Sequence, residues 1–340
     1  MILIDAVYIH NFGGKSIIVQ IIQGIINRKL DLDNFYFLFD NRIKINQFLP
    51  VNNHKYIRPS HSSRRNFYKK NKSDFSSIVC LSNVPPPLKT KIPTCIYFHN
   101  ILLLNPIIYK IPLKSKIFNL VKFIYINYYN STNYNWIAQT SLVNKMIKKH
   151  FNVLPNKIFN LPIFEETSNL TENLRENNIF SYVSSSVFHK NHKRLIQAFI
   201  KAAKLSTKNI VLNLTIINNE SPALIIPNNL KINFLGTLSR TEVSNLYNQS
   251  FFLIFSSLFE SFGLPLIEAT NHGCKVIASD LPYVHEIIRP SLTFDPYSVE
   301  SISDSILKAV EIDNLPETKV LVENKLDNFI DFIISQDVQR

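Results

Sequence analysis

Two carboxylates stand eight positions apart in the back half of the chain, beside a turn that suits phosphate. They are Glu260 and Glu268, and the residues between them predict a helix start at Phe262, Gly263 and Leu264. A helix start presents unpaired N–H groups and the positive end of a dipole, which together favour a phosphate. Carboxylate oxygens nearby accept hydrogen bonds from hydroxyl groups. A nucleotide sugar carries both kinds of group.

The elements that position these residues form a strand, loop, helix and strand. Phe251–Phe255 is an apolar run typical of a strand buried on both faces. Leu264–Asn271 is the predicted helix, with Pro265 in its first turn, and Lys275–Ala278 begins the next strand. This alternation predicts an α/β unit with a parallel sheet.

The segment ESFGLPLIE, Glu260 to Glu268, resembles the E-x7-E signature of the retaining glycosyltransferases of family 4. A pair of glutamates at this spacing carries little information alone, but Phe262, Gly263 and Pro265 are in register with the family pattern. The resemblance implies an α/β fold of two Rossmann-like domains facing a cleft, the GT-B fold.

The same resemblance assigns roles to individual residues. Glu268 would accept hydrogen bonds from both ribose hydroxyls, Glu260 would hold the sugar hydroxyls, and Lys190 would hold the donor diphosphate. His99 follows a buried strand where the family carries a histidine close to the donor sugar. The backbone near Gly236 would meet the nucleobase, and the expected catalytic residues are Glu260, His99 and Lys190.

One position departs from the family pattern. The arginine that joins the lysine on the diphosphate is replaced by serines, Ser184 to Ser186. Arg194, one turn into the following helix, is an alternative cation, and the sequence leaves open whether it takes that role.

Gly13 and Gly14 follow the first predicted strand, in a chain with only six glycines. Adjacent glycines at a strand-to-helix turn permit positive φ and a close approach of backbone to a ligand. Glycosyltransferases of family 4 have such a loop lining their cleft, and this resemblance implies that both glycines contact the ligand. The following helix is predicted to start at Lys15.

Length and composition indicate two globular domains. The chain has 340 residues, 46% of them hydrophobic and 18% charged. We predict an acceptor-binding domain over residues 1–165, a nucleotide-sugar-binding domain over 175–316, and a final segment, 317–340, that can cross back to the first domain. Residues 164–178 are predicted to form the linker.

Charge is distributed unevenly along the chain. Residues 1–165 hold 22 Lys and Arg against six Asp and Glu, a charge of +16, whereas the remainder holds 15 against 19, a charge of −4. The basic, aromatic segments His61–Lys72 and Leu113–Tyr129 fit an anionic membrane surface. The alternatives are solvated lysines and a buried helix whose lysines extend to water. No motif that reads nucleic acid accompanies the basic segments, so no nucleic-acid partner is expected.

The remaining signals exclude several classes. Cys80, Cys95 and Cys274 are scattered in apolar surroundings, which predicts reduced core residues and no zinc site. The pair in Asp31-Leu-Asp33 is predicted to be a loop, and neither a metal nor another cofactor is expected. The N-terminus lacks the pattern of a signal peptide, and no apolar run is long enough to span a bilayer. A cytoplasmic protein, peripheral on the inner face of the membrane, is predicted.

The expected reaction is transfer of a hexose from a UDP- or GDP-sugar, with retention, to a lipid-linked oligosaccharide in surface polysaccharide synthesis. No residue stands out as a covalent nucleophile, in agreement with the front-face substitution usually proposed for the family. Two alternatives remain: a nucleotide-sugar 2-epimerase of the same fold, and a catalytically silent membrane- or nucleic-acid-binding protein.

Overall fold

The computed structural model describes residues 1–10, 12–43, 53–104, 112–166, 175–217, 225–312 and 314–338. The chain divides into two compact units. The front unit comprises residues 1–165 and 323–340, and the back unit comprises residues 166–322. Each unit is built around a parallel sheet.

The front sheet has seven parallel strands in the order β3-β2-β1-β4-β5-β6-β7. Its central strands are apolar at successive positions because helices cover both faces. The strands are β1 (Ile2–Ala6), β2 (Phe35–Asp40), β3 (His54–Ile57), β4 (Ser77–Cys80), β5 (Thr94–Phe98), β6 (Asn135–Ala138) and β7 (Ile158–Asn160).

Helices of the front unit come from both ends of the chain. They are α1 (Phe12–Asn27), α2 (His61–Asn71), α3 (Leu113–Tyr129), α4 (Ser141–Phe151) and α10 (Leu326–Val338). Phe329 and Ile330 of α10 join the same apolar core as Ile21 of α1. At Gly24 the two helices approach so closely that a Cβ would lie 2.7 Å from Ile330 Cδ1.

The back sheet has six parallel strands in the order β10-β9-β8-β11-β12-β14. Its strands are β8 (Ile179–Tyr182), β9 (Ile210–Leu214), β10 (Leu230–Phe234), β11 (Phe252–Phe255), β12 (Lys275–Ser279) and β14 (Leu292–Phe294). Two short strands, β13 (Ile288–Arg289) and β15 (Lys319–Val320), pair antiparallel beside it. The helices are α5 (His192–Leu205), α6 (Arg240–Gln249), α7 (Leu264–Asn271), α8 (Pro282–Ile287) and α9 (Val299–Glu311).

Strand order reverses once in each sheet, between β1 and β4 in front and between β8 and β11 at the back. Loops leaving two such strands diverge to opposite faces, which opens a crevice at the carboxyl ends of the strands where α/β proteins bind ligands. The predicted two-domain α/β fold is therefore confirmed. Each reversal of strand order is a position where a ligand-binding site is expected.

At the front reversal, a buried ion pair joins α2 to the sheet. Arg64 Nε lies 2.7 Å from Asp5 Oδ2, and both side chains are fully buried. Tyr68 donates to the same carboxylate oxygen at 2.7 Å, and the Arg64 guanidinium also donates to the Pro85 carbonyl at 2.7 Å. The carboxylate and the cation are therefore both satisfied without water.

Several local predictions were wrong. Gly13 and Gly14 lie in the first turn of α1 and not in a loop before Lys15, and neither has positive φ. The predicted helix Thr318–Ser335 begins only at Leu326, because Lys319–Val320 pairs with β13. A strand this short has no period to read from sequence.

Helix capping also differs in two places. The sequence predicts Ser141 as the cap of α4, but Thr140 holds that position by accepting from Val143 N at 3.3 Å. It also predicts Asn191 as the cap of α5, and Asn191 does stand there, but its backbone is left-handed (φ 63°) and its side chain makes no capping bond. Residues 167–174 of the predicted linker and Asn11 of the predicted glycine loop lie outside the described residues.

Candidate functional site

At the back reversal, the structure brings Lys190 and Glu260 into an ion pair. Lys190 closes the short turn Phe188–Lys190 that follows β8, and Glu260 follows β11. Their side chains are 13% and 15% exposed, so water reaches both. The pair thus lies at the edge of the sheet where the fold favours ligand binding.

Neighbouring groups hold the two charged side chains in place. Ser257 Oγ donates to Glu260 Oε1 at 2.5 Å. Tyr182 and Ser256 donate to the Lys190 carbonyl at 2.9 and 3.1 Å, which fixes the backbone of the turn. Ser256 and Ser257 directly follow β11, and their hydrogen bonds connect this end of the strand to the turn Phe188–Lys190.

His189 is a site residue that sequence reasoning missed. Its ring stacks on Phe259, with 4.6 Å between centroids. Burial lowers the pKa of His189 to about 4, with the nearby Glu260 charge opposing and Lys190 assisting the shift. At neutral pH the histidine is therefore uncharged beside the ion pair. Its position next to Lys190 in sequence was the one available signal.

The start of α7 offers backbone donors beside this pair. Gly263 precedes the helix with φ 93°, a conformation that other residues rarely adopt. Pro265 has no N–H, and the amide of Leu266 donates to the Gly263 carbonyl at 3.0 Å. The groups that a phosphate would meet here are thus the N–H groups of Gly263 and Leu264. The side chain of Phe262, in the turn before the helix, is buried, with 4% of its surface exposed.

Glu268 lies one turn along α7 and is partly buried. Tyr247 of α6 donates to Glu268 Oε2 at 3.2 Å. Burial raises the pKa of Tyr247, and the negative charge of Glu268 raises it further. The tyrosine therefore stays protonated and orients the carboxylate.

Arg194 is directed to its own helix start and to a loop carbonyl. Its Nη1 donates to Asn191 Oδ1 at 2.5 Å and to the Pro296 carbonyl at 3.2 Å. Ser184, in the family's arginine position, pairs through its Oγ with His192 Nε2 at 3.1 Å. The cation that the structure places beside Glu260 is Lys190.

Gly236 follows β10 at the same edge of the back sheet, with φ 70°. Its amide donates to the Ile216 carbonyl at 3.2 Å, and a Cβ here would lie 3.8 Å from Ile217 Cγ1. Leu235 and Ile217 expose apolar surface beside it. The predicted contact with a base stays a prediction.

In the front unit, His99 is held between two strand ends. Its Nε2 lies 3.0 Å from the Leu81 carbonyl and 3.3 Å from Asn83 Nδ2, while its backbone amide donates to Asn83 Oδ1 at 2.6 Å. Burial lowers the pKa of His99. These contacts fix the ring at the carboxyl end of β5, and its role toward a sugar stays a prediction.

The two front glycines lie near the same edge of the front sheet, after β1. A Cβ at Gly13 would meet no heavy atom of the described residues within 4 Å. Neither glycine needs positive φ, and their predicted contact with a ligand stays a prediction.

The structure offers little for a metal. Among the described residues, no group of three or more His, Cys, Asp or Glu side chains is arranged to hold one. Asp31 caps a short turn by accepting from Asp33 N at 3.0 Å, as expected of a loop. Cys80, Cys95 and Cys274 are buried free thiols, and burial raises the pKa of each to about 12.

Residues 164–325 match the family described as glycosyl transferases group 1. An O-antigen chain mannosyltransferase, RfbU of Salmonella typhimurium, is 29% identical over 175 residues, which are 50% of this chain and 48% of that protein. A serotype-specific mannosyltransferase, WbdA of Escherichia coli, is 42% identical over 83 residues, 24% of this chain and 10% of that protein. The chain thus spans about half the length, or less, of these relatives.

Solved structures share the fold of the whole chain. A glycosyltransferase from Rickettsia africae superposes with a TM-score of 0.63 at 16% identity, covering 98% of this chain and 93% of that one. WaaG, a glycosyltransferase involved in lipopolysaccharide biosynthesis, superposes with a TM-score of 0.59 at 13% identity, covering 100% and 96%. At these identities the likeness establishes the fold alone.

The two Rossmann-like units and the similarity to these solved structures assign the chain to the GT-B fold class. Within that class, residues 164–325 match the family model of the glycosyl transferases group 1, and the resemblance predicted from the motif at Glu260 is confirmed.

Proposed function

We propose that this protein is a retaining glycosyltransferase that moves a hexose from a nucleoside diphosphate sugar to an acceptor hydroxyl. The observation that carries the proposal is the Lys190–Glu260 pair at the back reversal, inside a segment of the glycosyl transferases group 1 family. A cation, two carboxylates and a helix start on two βα units whose strands, β8 and β11, are neighbours in the sheet match the groups of a nucleotide sugar.

In this account each group has one task. Lys190 and the N–H groups of Gly263 and Leu264 hold the diphosphate and stabilise the charge that builds on it as the sugar departs. Glu268, oriented by Tyr247, accepts from the ribose hydroxyls. When the diphosphate binds Lys190, the ion pair between Lys190 and Glu260 breaks. Glu260 then accepts hydrogen bonds from the sugar hydroxyls.

The chain's own residues supply no covalent nucleophile in this proposal. The acceptor hydroxyl attacks the anomeric carbon on the face from which the diphosphate leaves, and its proton passes to the departing phosphate oxygen. His99 in the front unit contacts the sugar and transfers no proton, in keeping with its lowered pKa. The reaction needs no metal, because the lysine and the helix start provide the positive charge.

The relatives support a proposal for the sugar and the product. Three of the curated relatives are O-antigen or serotype-specific mannosyltransferases, which favours mannose as the sugar and surface polysaccharide as the product. A lipid-linked saccharide is the proposed acceptor, used at the inner face of the cytoplasmic membrane. Among the described residues, no helix combines the length and apolar character needed to cross a bilayer.

A panel of UDP- and GDP-sugars tests the donor. We expect GDP-mannose or a UDP-hexose to raise the thermal midpoint of the protein, and added saccharide acceptor to release the nucleoside diphosphate. Release of free nucleoside diphosphate without an acceptor, or conversion of the sugar to its 2-epimer, would contradict the proposal. So would the absence of any shift across the panel.

A further inference from the structure

Helix α3 of the front unit turns its apolar side chains outward. Those more than half exposed are Leu113, Ile117, Phe118, Val121, Ile124 and Tyr128. Except for Phe118, they follow one another at intervals of three or four, so they form a single stripe along the helix. A contiguous apolar surface of this kind on a soluble unit marks an interaction site.

Contacts on the opposite side of α3 fix which face is outward. Phe123 packs on Phe151 of α4 with 5.5 Å between ring centroids. His61 of α2 packs on Tyr125 at 5.6 Å and on Tyr129 at 5.8 Å. The contacts with α2 and α4 therefore lie on the inward side of α3, and the exposed apolar stripe faces away from them, whereas an ordinary surface helix turns its apolar side chains to the core.

Charge around α3 identifies the partner as anionic. Residues 75–164 contain ten lysines and no aspartate or glutamate. Lys114 and Lys116 stand in the first turn of α3. The end of α4 carries Lys148 and Lys149, which line a shallow concavity together with Leu154.

This basic end of α4 adjoins α3. His150 of α4 lies against Phe123 of α3, with 6.5 Å between ring centroids. The lysines of α4 therefore lie in the same region of the front unit as α3, which carries Lys114 and Lys116 in the same helix as the apolar stripe. An apolar stripe bordered by lysines is the pattern of a helix that lies in the plane of a membrane interface.

We propose that the exposed stripe of α3, with the lysines of α3 and α4, docks the protein on an anionic lipid bilayer. The proposal deepens the function proposed above, because it names the surface that brings the enzyme to a lipid-linked acceptor. With 17 residues, α3 spans about 25 Å along the interface. A second copy of the chain fits the surface less well, since two faces rich in lysine repel.

Sedimentation of the full chain with lipid vesicles tests this surface. Wild-type protein is expected to bind vesicles of phosphatidylcholine with phosphatidylglycerol as the minor lipid, and to bind phosphatidylcholine alone far less. The double change Ile117→Asn with Ile124→Asn should weaken binding to the mixed vesicles by at least about tenfold, because both side chains leave the apolar stripe. Leu205→Asn, at an exposed apolar residue of α5 in the back unit, should leave binding unchanged.

The lysines are tested separately. Lys148→Gln and Lys149→Gln should each weaken binding to the mixed vesicles about fivefold at low salt, and the difference should shrink as salt rises. Circular dichroism of each variant verifies that its fold is kept.

Three outcomes would overturn the proposal: wild-type protein that ignores the mixed vesicles, a double variant that binds them like wild type, and wild-type dimers that the double variant dissociates without any vesicle binding. Donor binding needs neither lipid nor the residues of α3 and α4 that these variants change. A failure here therefore leaves the proposed transfer of sugar standing, and a protein that binds vesicles but no donor contradicts only that transfer.

Discussion

Each unit of this protein carries an ion pair where its sheet reverses, and the two pairs differ in access to water. In front, Asp5 and Arg64 are fully buried, and Tyr68 and a loop carbonyl complete their hydrogen bonds. At the back, Lys190 and Glu260 are each more than a tenth exposed. A sealed pair cannot exchange partners, whereas a pair open to water can release a charge to a ligand. The same position in the fold therefore stabilises the front unit and, in the proposed function, binds the donor in the back unit.

The front pair predicts the largest effect on stability. Arg64→Met leaves the Asp5 carboxylate buried and unpaired, which costs about 3–5 kcal/mol. Fluorescence of Trp136, the sole tryptophan and fully buried in the front unit, follows urea unfolding of that unit. The double change Asp5→Asn with Arg64→Met should recover part of the loss.

The contrast between the two ion pairs would be contradicted if Arg64→Met lowered the free energy of unfolding as little as Lys190→Met, the matched change in the back unit. Lys190→Met should cost only about 1 kcal/mol, because water reaches the carboxylate that it leaves behind. Far-ultraviolet circular dichroism reports urea unfolding of both units, and comparison with Trp136 fluorescence, which reports the front unit, gives the transition of the back unit.

A smaller effect is expected from the pH dependence of the back unit. The pKa of His189 is about 4 in the folded protein and about 6.5 in an unfolded chain, so the unfolded state takes up a proton first as pH falls. Stability from this group is therefore complete above about pH 6.5 and decreases toward pH 4, by about 3 kcal/mol.

His189→Gln isolates this contribution. Urea unfolding of wild type and variant between pH 7 and about pH 4 should show a shallower slope for the variant. Equal slopes for wild type and His189→Gln would show that the histidine is not held neutral beside the ion pair.

Glycines at the two helix starts give the smallest expected effects. Gly263→Ala should destabilise the protein by about 1–2 kcal/mol, because φ is 93° and the new Cβ would lie 3.1 Å from Leu266 Cδ1. Gly13→Ala should be neutral or stabilise by up to about 1 kcal/mol, because alanine favours a helix and no atom obstructs it. Thermal unfolding of the two variants decides between these signs, and a destabilised Gly13→Ala would contradict the helical placement.

Local sequence predicted most elements because their signals are local. Thr94–Phe98, Leu113–Tyr129 and Leu264–Asn271 have the predicted bounds, and the capping box at Ser239 is present. An apolar run or a helix period suffices for such elements.

Contacts between distant residues could not be predicted. The bond between Lys190 and Glu260 spans 70 positions, and no pattern near either residue specifies its partner. Likewise, the period of α3 predicted an amphipathic helix, but only its packing on α2 and α4 decides which face is outward. The front glycines were misassigned because a glycine pair favours a loop unless the helix is anchored by other residues.

Calorimetric titration with GDP and with UDP tests the central claim most directly, because it needs neither acceptor nor lipid. One of the two nucleotides should bind wild-type protein, and Lys190→Ala and Glu268→Gln should each weaken that binding about ten- to a hundredfold. Lys193→Ala in α5 and Glu311→Gln in α9, both exposed, should bind like wild type. A protein that binds neither nucleotide, or binding that both site variants retain in full, would contradict the account.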